Sequence, residues 1–195
     1  MRQGTIVTVA PVGEPLTLEA AKRQLRIEPE DVDQDAHIGT LIAAARQKVE
    51  NELGIPILRQ TRQTHLFSFP CGAIWLGGGE AIDVQSIKYY DAAGVQQTML
   101  TTDYVVDAVS RPATVMPAPS RAWPSTLCRA GSVQVEWQGG WATAADVPAD
   151  LVHAMKLLVA HWDQNREAVN VGAVSAEVEQ TFTALIDPYR IPFVA

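Results

Sequence analysis

Ile38, Leu41, Ile42, Ala45, Val49 and Leu53 fall at steps of three, one, three, four and four. That spacing lays one apolar stripe along about five turns of helix. Asp33 and Asp35 stand at its start, where the helix dipole favours negative charge. Gly54 sits where a left-handed cap would end the helix, and Pro56 prevents its continuation. The stripe thus fixes a long helix, with both ends marked, in the first third of the chain.

Around this anchor the text divides into helical, β-rich and helical blocks. Residues 1–16 read as an extended N-terminal arm, with Thr5-Ile6-Val7-Thr8-Val9 ahead of two prolines. Thr17 offers an N-cap oxygen, and Leu18, Ala21 and Leu25 recur at helical spacing up to Ile27. From about Arg59 to Trp141, β-branched and aromatic residues alternate with polar ones, punctuated by glycine and proline. Strands are expected over Thr61–Phe69, Ser86–Tyr90, Val95–Met99, Tyr104–Asp107, Thr114–Met116 and Ser132–Trp137. Asp91-Ala92-Ala93-Gly94 reads as a hairpin turn. Helix returns after Pro148, with Leu151, Met155, Leu158, Val159 and Trp162 on its buried side. Glu167 to Gly172 reads as a loop, and Ala176 to Ile186 as a last helix ended by Pro188.

The fold class expected is α+β: a helical bundle of N- and C-terminal helices with a β-rich antiparallel insertion, a small sheet or barrel. The helical body is discontinuous, over 17–58 and 146–188, with the insertion at 59–145 and a tail at 189–195. The length of 195 residues suits one domain with a sizeable insert. An apolar fraction of 47% and a charged fraction of 19% permit a packed core and argue against disorder. The net charge of −7 argues against a protein that grips nucleic acid across its surface, which needs clustered Lys and Arg. Cys71 and Cys128 lie outside any CxxC motif and read as free thiols of a reducing compartment. No stretch approaches the ~20 apolar residues of a bilayer span, so a soluble product of the cytoplasm is expected.

No constellation of catalytic, cofactor or metal-binding residues outweighs a plain structural reading. Asp31-Val32-Asp33-Gln34-Asp35 has the opening rhythm of a calcium loop. The glycine and glutamate such a loop needs further on are replaced by Ala36 and Ile42. Gly77-Gly78-Gly79 is followed by Glu80, which would set a carboxylate against any phosphate. His153 and His161 lie two turns apart, too far to share a small metal ion. His37 and His65 are isolated, no serine occupies a nucleophile elbow, and Cys71 has no evident base. An enzyme is therefore not expected; a small hydrolase would need carboxylates that sequence does not bring together. Trp123, Trp137 and Trp141 could form a stacking platform for sugars or bases, although core or subunit packing explains them more simply. That leaves a carbohydrate- or receptor-binding module as the alternative function. In the tail, Tyr189, Ile191 and Phe193 alternate with Arg190 and Pro192. Large apolar residues on a terminus call for burial, either on the chain's own body or on a partner.

Several segments together resemble the head–tail connector (adaptor) proteins of tailed phages and prophages. They are Leu16-Thr17-Leu18-Glu19-Ala20-Ala21-Lys22, Asp35 to Arg46, Ser86 to Asp91, Val147 to Leu151, Leu157 to Ala168 and Leu185 to Arg190. The likeness runs from about Leu16 to Arg190 and rests on their order and spacing, not on a single diagnostic motif. It implies a structural, non-enzymatic protein without cofactors, placed in the virion at the head–tail junction and made in the host cytoplasm. It further implies a ring of about a dozen copies beneath the portal protein, which extends the DNA channel. Such a ring presents a platform to the next neck (stopper) protein or the tail. DNA would pass without sequence-specific binding, and an acidic lumen would give phosphate no sticking point.

Overall fold

The computed structural model describes residues 3–77, 82–165 and 176–191. The chain divides into two compact units, Met1–Val12 with Arg59–Trp141 and Gly13–Leu58 with Ala142–Ala195. It is an α+β protein whose sheets are antiparallel throughout the described residues.

Among the described residues the second unit holds four α-helices: α1 (Leu18–Leu25), α2 (Asp35–Leu53), α3 (Ala149–Gln164) and α4 (Ala176–Ile186). α1 packs on α2 and α3, α2 on α3, and α3 on α4. Ile38, Ile42, Ala45, Val49 and Leu53 of the α2 stripe are buried, as are Leu151, Met155, Leu158 and Val159 of α3. Phe182 and Ile186 bury the inner face of α4. Gly54 takes the left-handed conformation, φ 69°, and its N–H donates to the Glu50 carbonyl at 2.8 Å, closing α2 as the sequence predicts. Thr17 Oγ1 caps α1 by accepting from the Ala20 N–H at 3.2 Å. The predicted α1 stripe is only partly realised. Ala21 is buried, but Leu18 is exposed and the place of a large apolar residue goes to Lys22. The helix also stops at Leu25, because Arg26 adopts the left-handed cap, φ 59°.

The described residues of the first unit form eight strands: β1 (Gln3–Val9), β2 (Gln60–Leu66), β3 (Ile74–Trp75), β4 (Asp83–Tyr90), β5 (Gln96–Thr98), β6 (Tyr104–Asp107), β7 (Thr114–Pro117) and β8 (Val133–Gly139). They form two sheets where one was expected. The larger has the order β1-β2-β8-β4-β5 and the smaller β3-β7-β6. β8 alternates buried and half-buried positions along its whole length. Val133, Val135 and Trp137 thereby enter a core shared with Leu66, Ile87, Ile74, Tyr104 and Val115. The indole N–H of Trp137 donates to Thr64 Oγ1 at 3.0 Å, which satisfies the one polar atom of the buried ring. The segment read as a separate arm supplies β1, an edge strand paired antiparallel with β2. β3 escapes a sequence reading because two residues carry no detectable periodicity.

The β4–β5 hairpin is held by Asp91, whose carboxylate accepts from the Ala93 and Val95 N–H groups and from the Gln97 amide. Asp107 does the same for Val109 and Ser110 after β6. These bonds favour the ionised form: the Gln97 amide and Val95 N–H lower the Asp91 pKa, and Ser110 lowers that of Asp107. A depressed folded-state value makes the contribution present above the ordinary carboxylate range and lost as pH falls through it. Unfolding midpoints measured downward from pH 6 should therefore decline below about pH 4. The Asp91→Asn/Asp107→Asn variant should decline less steeply over the same range.

Candidate functional site: assembly surfaces

The residues that looked most like chemistry turn out to hold the fold together. The acidic run at 31–35 wraps around a cation that the chain itself supplies. Lys22 Nζ donates to the Pro29 and Asp31 carbonyls at 3.1 and 2.8 Å. It also forms an ion pair with Asp35 Oδ1 at 2.5 Å. Two carbonyls and a carboxylate around a buried ammonium explain the calcium-like rhythm without a metal. Among the described residues no group of three His, Cys, Asp or Glu side chains is arranged to hold a metal ion.

The remaining candidates stay apart. His37 Nε2 faces Asp163 at 3.6 Å across α2 and α3, whereas His153 is exposed and His161 sits beside Asn165. Cys71 and Cys128 are exposed free thiols. Gly77 is described, and Gly78, Gly79 and Glu80 lie outside the described residues. The tryptophans do not form a platform. Trp137 is fully buried, and Trp123 is stacked on Phe69 at 4.7 Å with its N–H donated to the Gly72 carbonyl. Trp141 is half-buried outside that core.

What the molecule presents instead is apolar surface. β1 lies at one end of the larger sheet, and every residue from Gly4 to Ala10 is exposed, including Ile6, Val7 and Val9. β5, at the other end, is short and wholly polar. The smaller sheet turns Ile74, Val115 and Tyr104 inward. In its register Trp75 lies opposite Thr114 and Val105 opposite Met116, so Trp75, Val105 and Met116 share the outer face. The sequence places Val105 and Met116 in strands but misses the β3 strand of Trp75, and a strand of two to four residues is too short to reveal which side faces out.

The tail begins on the helical unit. Tyr189 Oη donates to Asp150 Oδ2 at 3.4 Å, and Arg190 Nε donates to Asp187 Oδ1 at 3.1 Å. Burial raises the Tyr189 pKa, and the Asp150 carboxylate raises it further. Asp150 also borders a shallow groove of about 620 Å³ whose apolar lining includes Pro15, Val147 and Val152. Ile191 is half-buried, and Pro192 and Phe193 lie outside the described residues.

Over residues 15–88, which span α1, α2, β2, β3 and most of β4, the chain matches the family model described as phage gp6-like head-tail connector protein. The resemblance to head–tail connector proteins is thus shown. The whole fold is also similar to a chain in the neck of an empty GTA particle computed with C6 symmetry. The TM-score is 0.78 at 22% identity, covering 98% of this chain and 97% of that one. Chains in the virion of a native gene transfer agent (GTA) particle (TM-score 0.76, 19% identity, 98% and 97% covered) and in the neck of a native GTA particle computed with C12 symmetry (0.64, 20%, 96% and 97%) share the fold. No curated protein matches the sequence.

Lys22→Met should destabilise the helical unit by about 2–3 kcal/mol, because it leaves Asp35 and two carbonyls facing an apolar group. Chemical denaturation followed by far-ultraviolet circular dichroism measures this. Added calcium should not restore the wild-type midpoint of the unmodified chain or raise it further.

Proposed function

We propose that the chain is a head–tail connector (adaptor) subunit of a phage-type virion, a structural part of the neck and not an enzyme. The observation that carries this reading is the likeness over nearly its full length to chains in neck structures of cyclic symmetry. The gp6-like match over residues 15–88 supports it independently. In this role about a dozen copies form a ring beneath the portal protein. The ring continues the DNA channel and offers its far side to the next neck protein or the tail.

The physical character of the chain suits such work. A net charge of −7 repels phosphate, so a channel lined by this protein would let DNA slide and give it no holding point. The discontinuous helical body with its β insertion supplies two differently shaped parts for different neighbours. The tail from Tyr189 through Arg190, Ile191 and Pro192 to Phe193 is the segment assigned to the portal or to a neighbouring subunit. The carbohydrate-binding alternative loses its basis, since Trp137 is buried and one face of Trp123 is covered by Phe69.

Microscopy of purified particles should place the protein as a multi-copy ring at the head–tail junction. Its absence from particles, with null mutants still producing joined and infectious virions, would remove the proposal. A truncation after Pro188 should fold normally by circular dichroism yet leave heads and tails unjoined. Normal joining by that truncation would contradict the role given to the tail while leaving the ring itself in place.

A further inference from the structure

We propose that the groove beside the first half of α3 receives a peptide segment of a partner protein, one that carries an apolar side chain with an aspartate or glutamate two positions along. The apolar lining seats the first, and Lys156 pairs with the second. The inference concerns the helical unit alone and goes beyond the connector reading, on which it does not rest.

Lys156 differs from the other lysines of the helical unit. Lys22 is paired with Asp35 and Lys48 with Glu52. Lys156 is half-buried, yet among the described residues it has no hydrogen bond or ion pair. An ammonium drawn partly out of water gains strongly from an anionic acceptor. Lys156 borders two hollows of the surface. One, of about 360 Å³, is lined by Ala20, Arg23 and Gln24 and has no carboxylate in its lining. Arg23 gives one of its five N–H donors to Glu19, in an exposed pair at 2.9 Å. The other hollow is the groove of about 620 Å³, where Pro15, Val147 and Val152 supply the apolar lining. In a chain of net charge −7, a positive charge without a partner here adjoins apolar surface.

Spacing and charge define the occupant. Val152 and Lys156 stand one helical turn apart on the same face, about 6 Å along the axis. In an extended segment, side chains two positions apart point to the same side, about 6–7 Å from one another. An apolar side chain seated on Val152 thus brings a carboxylate two positions away to Lys156. Asp150 borders the groove toward the start of α3 and repels a carboxylate there, so the segment is held in one direction. DNA phosphate suits the groove poorly, since it would meet apolar lining and Asp150 together. The chain's own tail, Arg190 to Ala195, has no acidic side chain.

Selection of a random peptide display library on the full chain tests this. Retained peptides should pair an aliphatic or aromatic residue with an acidic one two positions away. Made with a fluorescent label, such a peptide should bind Lys156→Gln about tenfold more weakly. Lys156→Arg should keep most of the affinity, and both variants should keep the wild-type circular dichroism spectrum. Exchanging the peptide's acidic residue for its amide should weaken binding to the wild type about tenfold and to Lys156→Gln hardly at all, since the two groups act as a pair. Val152→Asp should also lose binding. Duplex DNA should not displace the peptide, and a chain truncated after Pro188 should bind it as the wild type does. No enrichment, retained peptides without acidic residues, or equal binding by Lys156→Gln would overturn the proposal. So would displacement by DNA, which marks a phosphate site, or tighter binding by the truncated chain, which marks the tail as the occupant.

Discussion

The architecture depends on one closure. β2 and β8, the strands by which the chain enters and leaves the 59–141 segment, are hydrogen-bonded neighbours over seven residues, from Gln60 opposite Gly139 to Leu66 opposite Val133. Just below them the Arg59 N–H donates to the Trp141 carbonyl at 3.1 Å. Entry and exit are thereby pinned side by side. α2 and α3 can then pack on one another although a whole β unit separates them in sequence. The loop-closure entropy of so long an insertion is offset within the β unit itself, by strand pairing and by the core around Trp137. An insertion whose ends meet is tolerated by its host for the same reason that domain insertions generally are.

Charge is used inside the helical unit as a positional device. Arg46 is buried on α2 and bonds to Glu14 through Nε at 2.7 Å and to Glu50 through Nη1 at 3.0 Å. Burial alone would lower its pKa, but the hydrogen bond that Arg46 donates to Glu14 and the charge of Glu50 outweigh it, and the value is raised. Glu50 also accepts from the Ile57 N–H at 2.9 Å, tying the last turns of α2 to the buried Ile55–Leu58 segment. Lys22 does similar work for the α1–α2 connection. Such groups fix one arrangement of loops because any displacement strands a buried charge.

The same economy shapes the surface. Asp31, Asp35, Arg46, Asp91 and Asp107 are committed to turns and ion pairs within the fold. Large apolar residues are left on a strand edge and on a sheet face.

Much of this was legible in the sequence. The α2 stripe with Gly54 and Pro56, the α3 stripe after Pro148, and the strands around Tyr104 and Val133 emerge from periodicity, because a repeat sustained over several residues records which side faces the core. The ordered segments from Leu16 onward carried the family likeness. Other features were out of reach. The role of Lys22 is visible only once the carbonyls of Pro29 and Asp31 are seen around it. Residues 1–16 read as an extended arm because the pairing of Gln3–Val9 with β2 is a contact across more than fifty positions. The exposed face of Trp75, Val105 and Met116 arises from pairing between strands of two to four residues, too short to record which side faces out. Sequence alone determined the local elements, whose signals are carried by near neighbours along the chain. Only tertiary structure decided what each charge neutralises and which apolar residues remain outside, since both depend on groups brought together from distant parts of the sequence.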